Sequence, residues 1–402
     1  MKGFRERTDV VDVLRLLERR IRALSPEPVP ILDAAGRVLA HDVISEVDVP
    51  HFARSAMDGF AVRGEETFGA SDYNPLNLRV VGQSLPAEPS DKSVGRGEAI
   101  RIMTGAPIPE GADAVLVAES ADERDGIVHV KDAVAPGRHI GRIGEDIEAG
   151  ALVLQAGRVL RPQDVALLSS IGLPEIDVVR RPVVDVFTTG NELLSAGSRP
   201  TGTSIVDSNS LMIAALVARD GGIPRRHDVL RDERDLIRNA LESSDADMVV
   251  VTGGSSVGAE DHAPTILAEI GTLSVHGIAM RPSSPTGLGF IGNRPVFLLP
   301  GNPVSCLCAY DFFAGRSARI MGGRSPEWPH RRRRGRLARK ISSAVGRVDY
   351  VRVTFDHDEV VPIATSGASI LSSTTRADGF VLIDRDSEGL PPGDEVEVLL
   401  YD

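Results

Sequence analysis

Three short polar loops hold the residues of this sequence best suited to chemistry. The first reads Thr188-Thr189-Gly190-Asn191-Glu192. The second reads Gly253-Gly254-Ser255-Ser256-Val257-Gly258 and continues to Glu260 and Asp261. The third reads Leu299-Pro300-Gly301-Asn302-Pro303. Glycines let a backbone approach an anion closely, and loop N–H groups can form a concavity that holds one. A helix N-terminus after such a loop adds to the attraction. Glu192 and Asp261 would stand at the same rim, as a carboxylate pair for a Mg²⁺ ion that also takes phosphate oxygens. One such loop alone is equally well a tight turn, whereas three on one edge point to a ligand site. No Walker A loop or H-E-x-x-H pair is present.

The elements that must carry these loops lie in residues 180–325. Apolar runs at 182–188, 226–230, 247–252 and 295–299 read as strands. Helical periodicity marks 208–219 and 233–241, and a further helix begins near Val304. Strands alternating with helices predict a doubly wound parallel sheet, with ligands bound beyond its carboxyl edge. Residues 45–145 instead show short apolar runs between turn residues, the pattern of a small β domain. That domain holds a second polar cluster, at Asp58-Gly59 and Met103-Thr104-Gly105. Asp58 before a glycine is by itself an ordinary turn, and Glu145-Asp146 is equally open.

Thr8 and Asp9 can cap an amphipathic helix bearing Val10, Leu14, Leu17 and Ile21. Residues 144–172 could pair with that helix, which would make the first domain discontinuous. The run HRRRRGRLARK at 330–340 reads as a solvated basic hinge, and a β domain of about 70 residues follows it. The division expected is 1–48 with 145–178, then 49–144, 179–328 and 329–402.

Composition narrows the function classes. The 402 residues are 42% hydrophobic and 25% charged, an ordinary globular balance. A net charge of -12 argues against nucleic-acid binding and obliges an anionic ligand to find a local cluster of donors. Cys306 and Cys308 are the only cysteines, too few for a disulfide framework or for a metal site of their own. The N-terminus MKGFRERTDVV has no apolar leader core, and no run approaches the ~18 apolar residues of a membrane span. A cytoplasmic protein without membrane insertion is expected.

At SAMDGFAV, IRIMTGAPIPEGADAV, GRIGEDIEAGALVLQAG, FTTGNELL, TGGSSVGAED and LLPGNPVSC the chain resembles the molybdopterin molybdotransferase family, which includes bacterial MoeA and the C-terminal domain of gephyrin. The likeness spans nearly the whole length. It implies an elongated homodimer, with the α/β domain flanked by a discontinuous domain, a small β domain and a C-terminal β barrel. It implies transfer of molybdenum from molybdate to adenylylated molybdopterin, giving molybdenum cofactor and AMP with Mg²⁺. It further implies catalytic positions at Asp58, Thr104, Glu192, Asp232 and Asp261, with Glu192 and Asp261 on the metal. Substrate and anion contacts would fall to Asp146, Gly253, Gly254, Ser255, Arg281, Ser284, Pro300, Pro303, Arg352 and Ser372, with Arg347 and Ser373 nearby.

One segment departs from the family pattern. Where K-x-x-M-K-P-G-K-P is usual, Gly277, Arg281 and Ser284 replace the three lysines. Arginine is a planar fork and serine carries no charge, so a buried dianion should be held less firmly. The departure motivates an alternative, a gephyrin-like scaffold that binds a disordered segment of a membrane or cytoskeletal protein between the α/β and C-terminal domains. The retained acidic residues favour the transferase.

Overall fold

The computed structural model describes residues 7–254, 262–364 and 367–401. At its centre is a six-stranded sheet in the order Ile223–Arg226, Val183–Thr188, Met248–Thr252, Arg294–Leu299, Gly287–Ile291, Thr272–His276. The first four strands are parallel. Successive side chains point to opposite faces, and both faces are covered. Val184, Val186, Val250, Phe297 and Leu299 pack beneath the helices Asn209–Arg219 and Pro303–Ala309. Phe187, Val249, Val251, Val296 and Leu298 pack beneath Arg234–Ser243 and His262–Ile270. This burial on both sides is why the strand sequences are largely apolar rather than alternating; the exception is buried Asp185, which pairs with Arg225.

The sheet is mixed, which corrects the all-parallel expectation. Gly287–Ile291 and Thr272–His276 run antiparallel to their neighbours. Gly292-Asn293 joins Gly287–Ile291 directly to Arg294–Leu299, and a two-residue hairpin permits only antiparallel pairing. The strand expected at 226–230 sits at Ile223–Arg226, and Leu230 makes only an isolated bridge to Thr189.

The helix Val10–Arg20 buries Val10, Val13 and Leu17. It packs into the central core with Phe290, Phe312 and Phe313, and Arg20 lies over the Phe290 ring at 4.3 Å. The expected pairing with residues 144–172 is therefore not made by this helix, because the aromatic surface it covers belongs to the α/β unit. Asp9 makes no capping hydrogen bond and instead pairs with Arg385 of the C-terminal segment. The partners of the later segment are strands that follow the helix. Pro26–Pro30 pairs with Glu175–Val179, and Val43–Ile44 pairs with Leu152–Leu154. Leu39, Leu160, Leu168 and Val178 form their common core.

The inserted β unit is a six-stranded sheet running from Ala114–Val117 to Ala121–Arg124. At the C-terminus five strands close into a barrel, since Val348–Asp356 pairs with both Glu359–Ala364 and Gly379–Ile383. Arg332–Leu337 is one of its strands, paired with Glu395–Leu400, so the basic run is not a hinge. Its charges are matched across the sheet: Arg332 meets Glu397 at 3.2 Å, and Arg333 meets Asp358 while stacking on Phe355. Among the described residues no helix is long and apolar enough to cross a membrane.

Candidate functional site

The carboxyl ends of Val183–Thr188, Met248–Thr252 and Arg294–Leu299 open into one cavity of about 590 Å³. All three expected loops reach it, through Thr188, Glu192, Gly253, Gly254, Pro300 and Pro303. Hydrogen bonds tie the loops together: Thr189 N–H donates to Thr252 O at 2.9 Å, and Gly253 N–H donates to Leu299 O at 3.2 Å. Gly253 has φ +93°, and a Cβ there would lie 2.2 Å from Thr189 O. Only glycine fits at that crossing. Asp232 also lines the cavity, and its Oδ2 accepts the Asn191 N–H at 3.1 Å.

Several side chains outside the expected set complete the wall. Asp207, Ser208 and Asn209 line the cavity from the N-terminus of Asn209–Arg219. Buried Asp207 accepts from Ser210 N–H and hydroxyl, and Ser210 Oγ accepts from Arg226 Nε. The signal was present as the run Asp207-Ser208-Asn209-Ser210, a dense cluster of capping residues before a helix. Four buried polar atoms on this wall have no hydrogen-bond partner among the described residues: Thr188 Oγ1, Thr189 Oγ1, Asn209 Oδ1 and Asp232 Oδ1. Unpaired buried polar atoms cost stability unless a ligand or water satisfies them, so they mark where a ligand should sit.

A second cavity of about 320 Å³ shares Pro285, Pro300 and Asn302 with the first. It is lined by Arg281, Ser284 and Arg352, three of the expected anion contacts. Ser284 Oγ has no partner among the described residues. Arg281 Nη2 donates to buried Asp349 at 2.6 Å, and Arg347 Nε donates to the same carboxylate at 2.9 Å. Arg347 therefore does not line the cavity but helps hold the carboxylate that holds Arg281. Burial pulls the Arg352 guanidinium down from its ordinary value.

Other expected residues lie elsewhere. Asp58 and Thr104 meet on the inserted β unit, where Thr104 N–H and hydroxyl donate to Asp58 Oδ1 at 2.7 and 2.9 Å. Those bonds hold the Asp58 carboxyl below the usual range. Neither residue lines the two cavities, nor does exposed Asp146. Ser372 and Ser373 sit on the short helix Ser372–Thr375, and Ser373 Oγ is spent on Ile370 O. Ser369 is the nearby serine that reaches the larger cavity. Ser255 and Asp261 lie outside the described residues.

The donor set suits a hard divalent cation. Glu192, Asp207, Asp232 and Asn209 offer only oxygen toward the larger cavity, once the Asn209 nitrogen is spent on the protein. No three His, Cys, Asp or Glu side chains form a ready-made cage among the described residues. A cation here would thus need further oxygens from its substrate. Cys306 lies close by, 3.5 Å from Thr252 Oγ1, but complete burial pushes its thiol up to about 12. It is a core residue and not a nucleophile.

Three family models match this chain in order: the MoeA N-terminal region (domains I and II) at residues 8–172, a probable molybdopterin binding domain at 185–318, and the MoeA C-terminal region (domain IV) at 334–401. Molybdopterin molybdenumtransferase 2 of Mycobacterium tuberculosis is 34% identical over 96% of this chain and 97% of its own length. Molybdopterin molybdenumtransferase of Staphylococcus aureus is 30% identical over 98% of this chain and 96% of its own. A crystal structure of a molybdopterin biosynthesis MoeA protein from Pyrococcus horikoshii superposes with a TM-score of 0.80 at 33% identity, covering 98% of this chain and 100% of that one.

Proposed function

The chain belongs to the MoeA family and has molybdopterin molybdenumtransferase function, and we propose on that premise that it inserts molybdenum from molybdate into adenylylated molybdopterin and releases AMP. The observation that carries this reading is the joined pair of cavities at the carboxyl edge of the sheet. The larger, about 590 Å³, has the volume of a nucleotide-sized ligand and carries unpartnered polar atoms. The smaller is rimmed by arginine and serine and suits a compact oxyanion.

Roles follow from placement. The backbone of the loop at Gly253 and Gly254, with Ser255 beyond it, would bind phosphate. Arg281, Ser284 and Arg352 would bind molybdate, and Pro300 and Pro303 shape the loop between the two ligands. Glu192 and Asp232, with Asp261, would hold Mg²⁺, which when bound polarises the phosphate linkage. Asp232 Oδ1 has no donor among the described residues, so it can orient water toward that linkage. Asp58, Thr104 and Asp146 would act from the partner protomer of a homodimer, since within one chain they line neither cavity. Closure by that protomer would exclude bulk water. The four-part division read from the sequence, a cytoplasmic setting and Mg²⁺ dependence belong to the same proposal.

A peptide-binding scaffold would use another place, a cavity of about 290 Å³ between Leu14, Trp328 and Leu382. The unpartnered atoms at the sheet edge favour the transferase. The test is AMP release from adenylylated molybdopterin with molybdate and Mg²⁺. Turnover is expected, and Asp232→Asn should lower kcat by roughly 10²-fold, the size expected for a lost acid–base or metal contact. A folded protein that releases no AMP would sink the proposal.

A further inference from the structure

Asn209 has an unusual combination of constraint and vacancy. Its side-chain nitrogen donates to Thr252 Oγ1 at 2.9 Å and to Gly301 O at 2.8 Å. Gly301 O is a carbonyl and can only accept, so the amide cannot turn over without setting oxygen against oxygen. Thr252 Oγ1 has its own acceptor in Pro300 O, at 3.5 Å, which leaves it to accept from Asn209. Asn209 is 7% exposed, its Oδ1 is buried with no hydrogen-bond partner among the described residues, and the residue lines the larger cavity. That oxygen is therefore an acceptor with one permitted orientation.

An acceptor fixed this way repels phosphate and other oxyanions at this spot and attracts an N–H or O–H of the ligand. Part of the same cavity wall is glycine and proline. Gly253 and Gly301 approach so closely that a Cβ on Gly301 would lie 3.6 Å from the Gly253 Cα, and Pro300 and Pro303 continue the wall. A wall of glycine and proline can take the face of a planar ring. The geometry points to Asn209 as a specificity-determining residue that reads the amine-bearing edge of the substrate's heterocycle. This rests on the transferase reading, whose substrate offers two such edges, the 6-amine of adenine and the 2-amine of the pterin. Thr252 and Gly301 set the orientation and are positioning residues.

Two ligand pairs separate the sources. Purine riboside 5′-monophosphate is AMP without the amine, and lumazine is pterin with the 2-amine replaced by a carbonyl. Binding of all four to the wild-type protein and to Asn209→Ala, by calorimetry or ligand fluorescence, gives a double-mutant cycle for each pair. For one pair, loss of the amine should weaken binding to the wild type roughly 10- to 100-fold, and to the variant less than about 2-fold. The pair that responds identifies the ring. A merely structural Asn209 would weaken parent and analogue alike, with no coupling in either cycle, and that result overturns the inference. Equal binding of parent and analogue by the wild type in both pairs overturns it as well, even if the variant fails to fold. If neither AMP nor pterin binds the wild type at all, the transferase reading fails first and takes this inference with it.

Discussion

Asp349 decides what Arg281 can do. Its buried carboxylate takes Arg281 Nη2, Arg347 Nε and the Ser343 hydroxyl. The guanidinium at the family's lysine position thus arrives at the smaller cavity with much of its charge already matched. Ser284, beside it, carries no charge, and its hydroxyl has no partner among the described residues. Ser284→Lys should therefore restore a cation where none stands. A charge-assisted hydrogen bond contributes roughly 1.5–3 kcal/mol, reduced here by desolvation of the ammonium, so molybdate affinity should rise about 10-fold. AMP affinity should stay as it is, because Ser284 does not line the larger cavity. Paired calorimetric titrations with molybdate and AMP check both halves. An unchanged molybdate Kd would remove the smaller cavity from the account of the reaction.

At the scale of elements, the helix Pro162–Ser170 shows how one carboxylate can fix an end. Asp164 accepts from the Arg161 N–H at 2.9 Å and from the guanidinium groups of Arg158 and Arg161. These bonds, those of Arg161 first and Arg158 next, hold its carboxyl far below the usual range. A group with a depressed folded-state pKa stabilises the fold above its unfolded pKa of about 3.9, and that stability is lost as pH falls through the folded value. The contribution is thus full at neutral pH and declines below about pH 4. Asp164→Asn should cost roughly 1–3 kcal/mol at pH 7. The gap between variant and wild type, followed by urea unfolding from pH 7 downward, should narrow in acid. A gap independent of pH would mean that the ion pairs contribute little and that the loss is one of packing.

For the whole molecule, the separation of Asp58 and Thr104 from the cavities is the informative fact. If a second protomer supplies them, each site takes residues from two chains. Asp58→Ala and Asp232→Asn homodimers should each be nearly inactive. Mixed and reassembled, they form heterodimers with one intact site, and AMP release should return to about a quarter of the wild-type rate, as random pairing of two protomers requires. Mass by light scattering verifies the dimer in the same samples. Failure of the mixture to recover, with dimers present, would mean that Asp58 does not act across the dimer; an active Asp58→Ala homodimer would place it outside the reaction.

The chain's own letters determined the three loops and the strands beneath them, because strands buried on both faces read as largely apolar runs and glycine is obligatory where a loop crosses another backbone at Gly253. Asp232, assigned by motif order, lines the larger cavity. Local pattern had no means of showing which apolar stripe meets which surface. Val10, Val13 and Leu17 would suit any core of the right shape, and only folding set them against Phe290 and Phe312 rather than against residues 144–172. The basic run at 332–337 became a strand because its acidic partners, Glu395 and Glu397, come some sixty residues later. In the sequence Asn209 is one of several capping-type residues in the run Asp207-Ser208-Asn209-Ser210. The contact that makes it an oriented acceptor joins it to Gly301, 92 residues away, and hydrogen bonds of that span exist only once the sheet has formed.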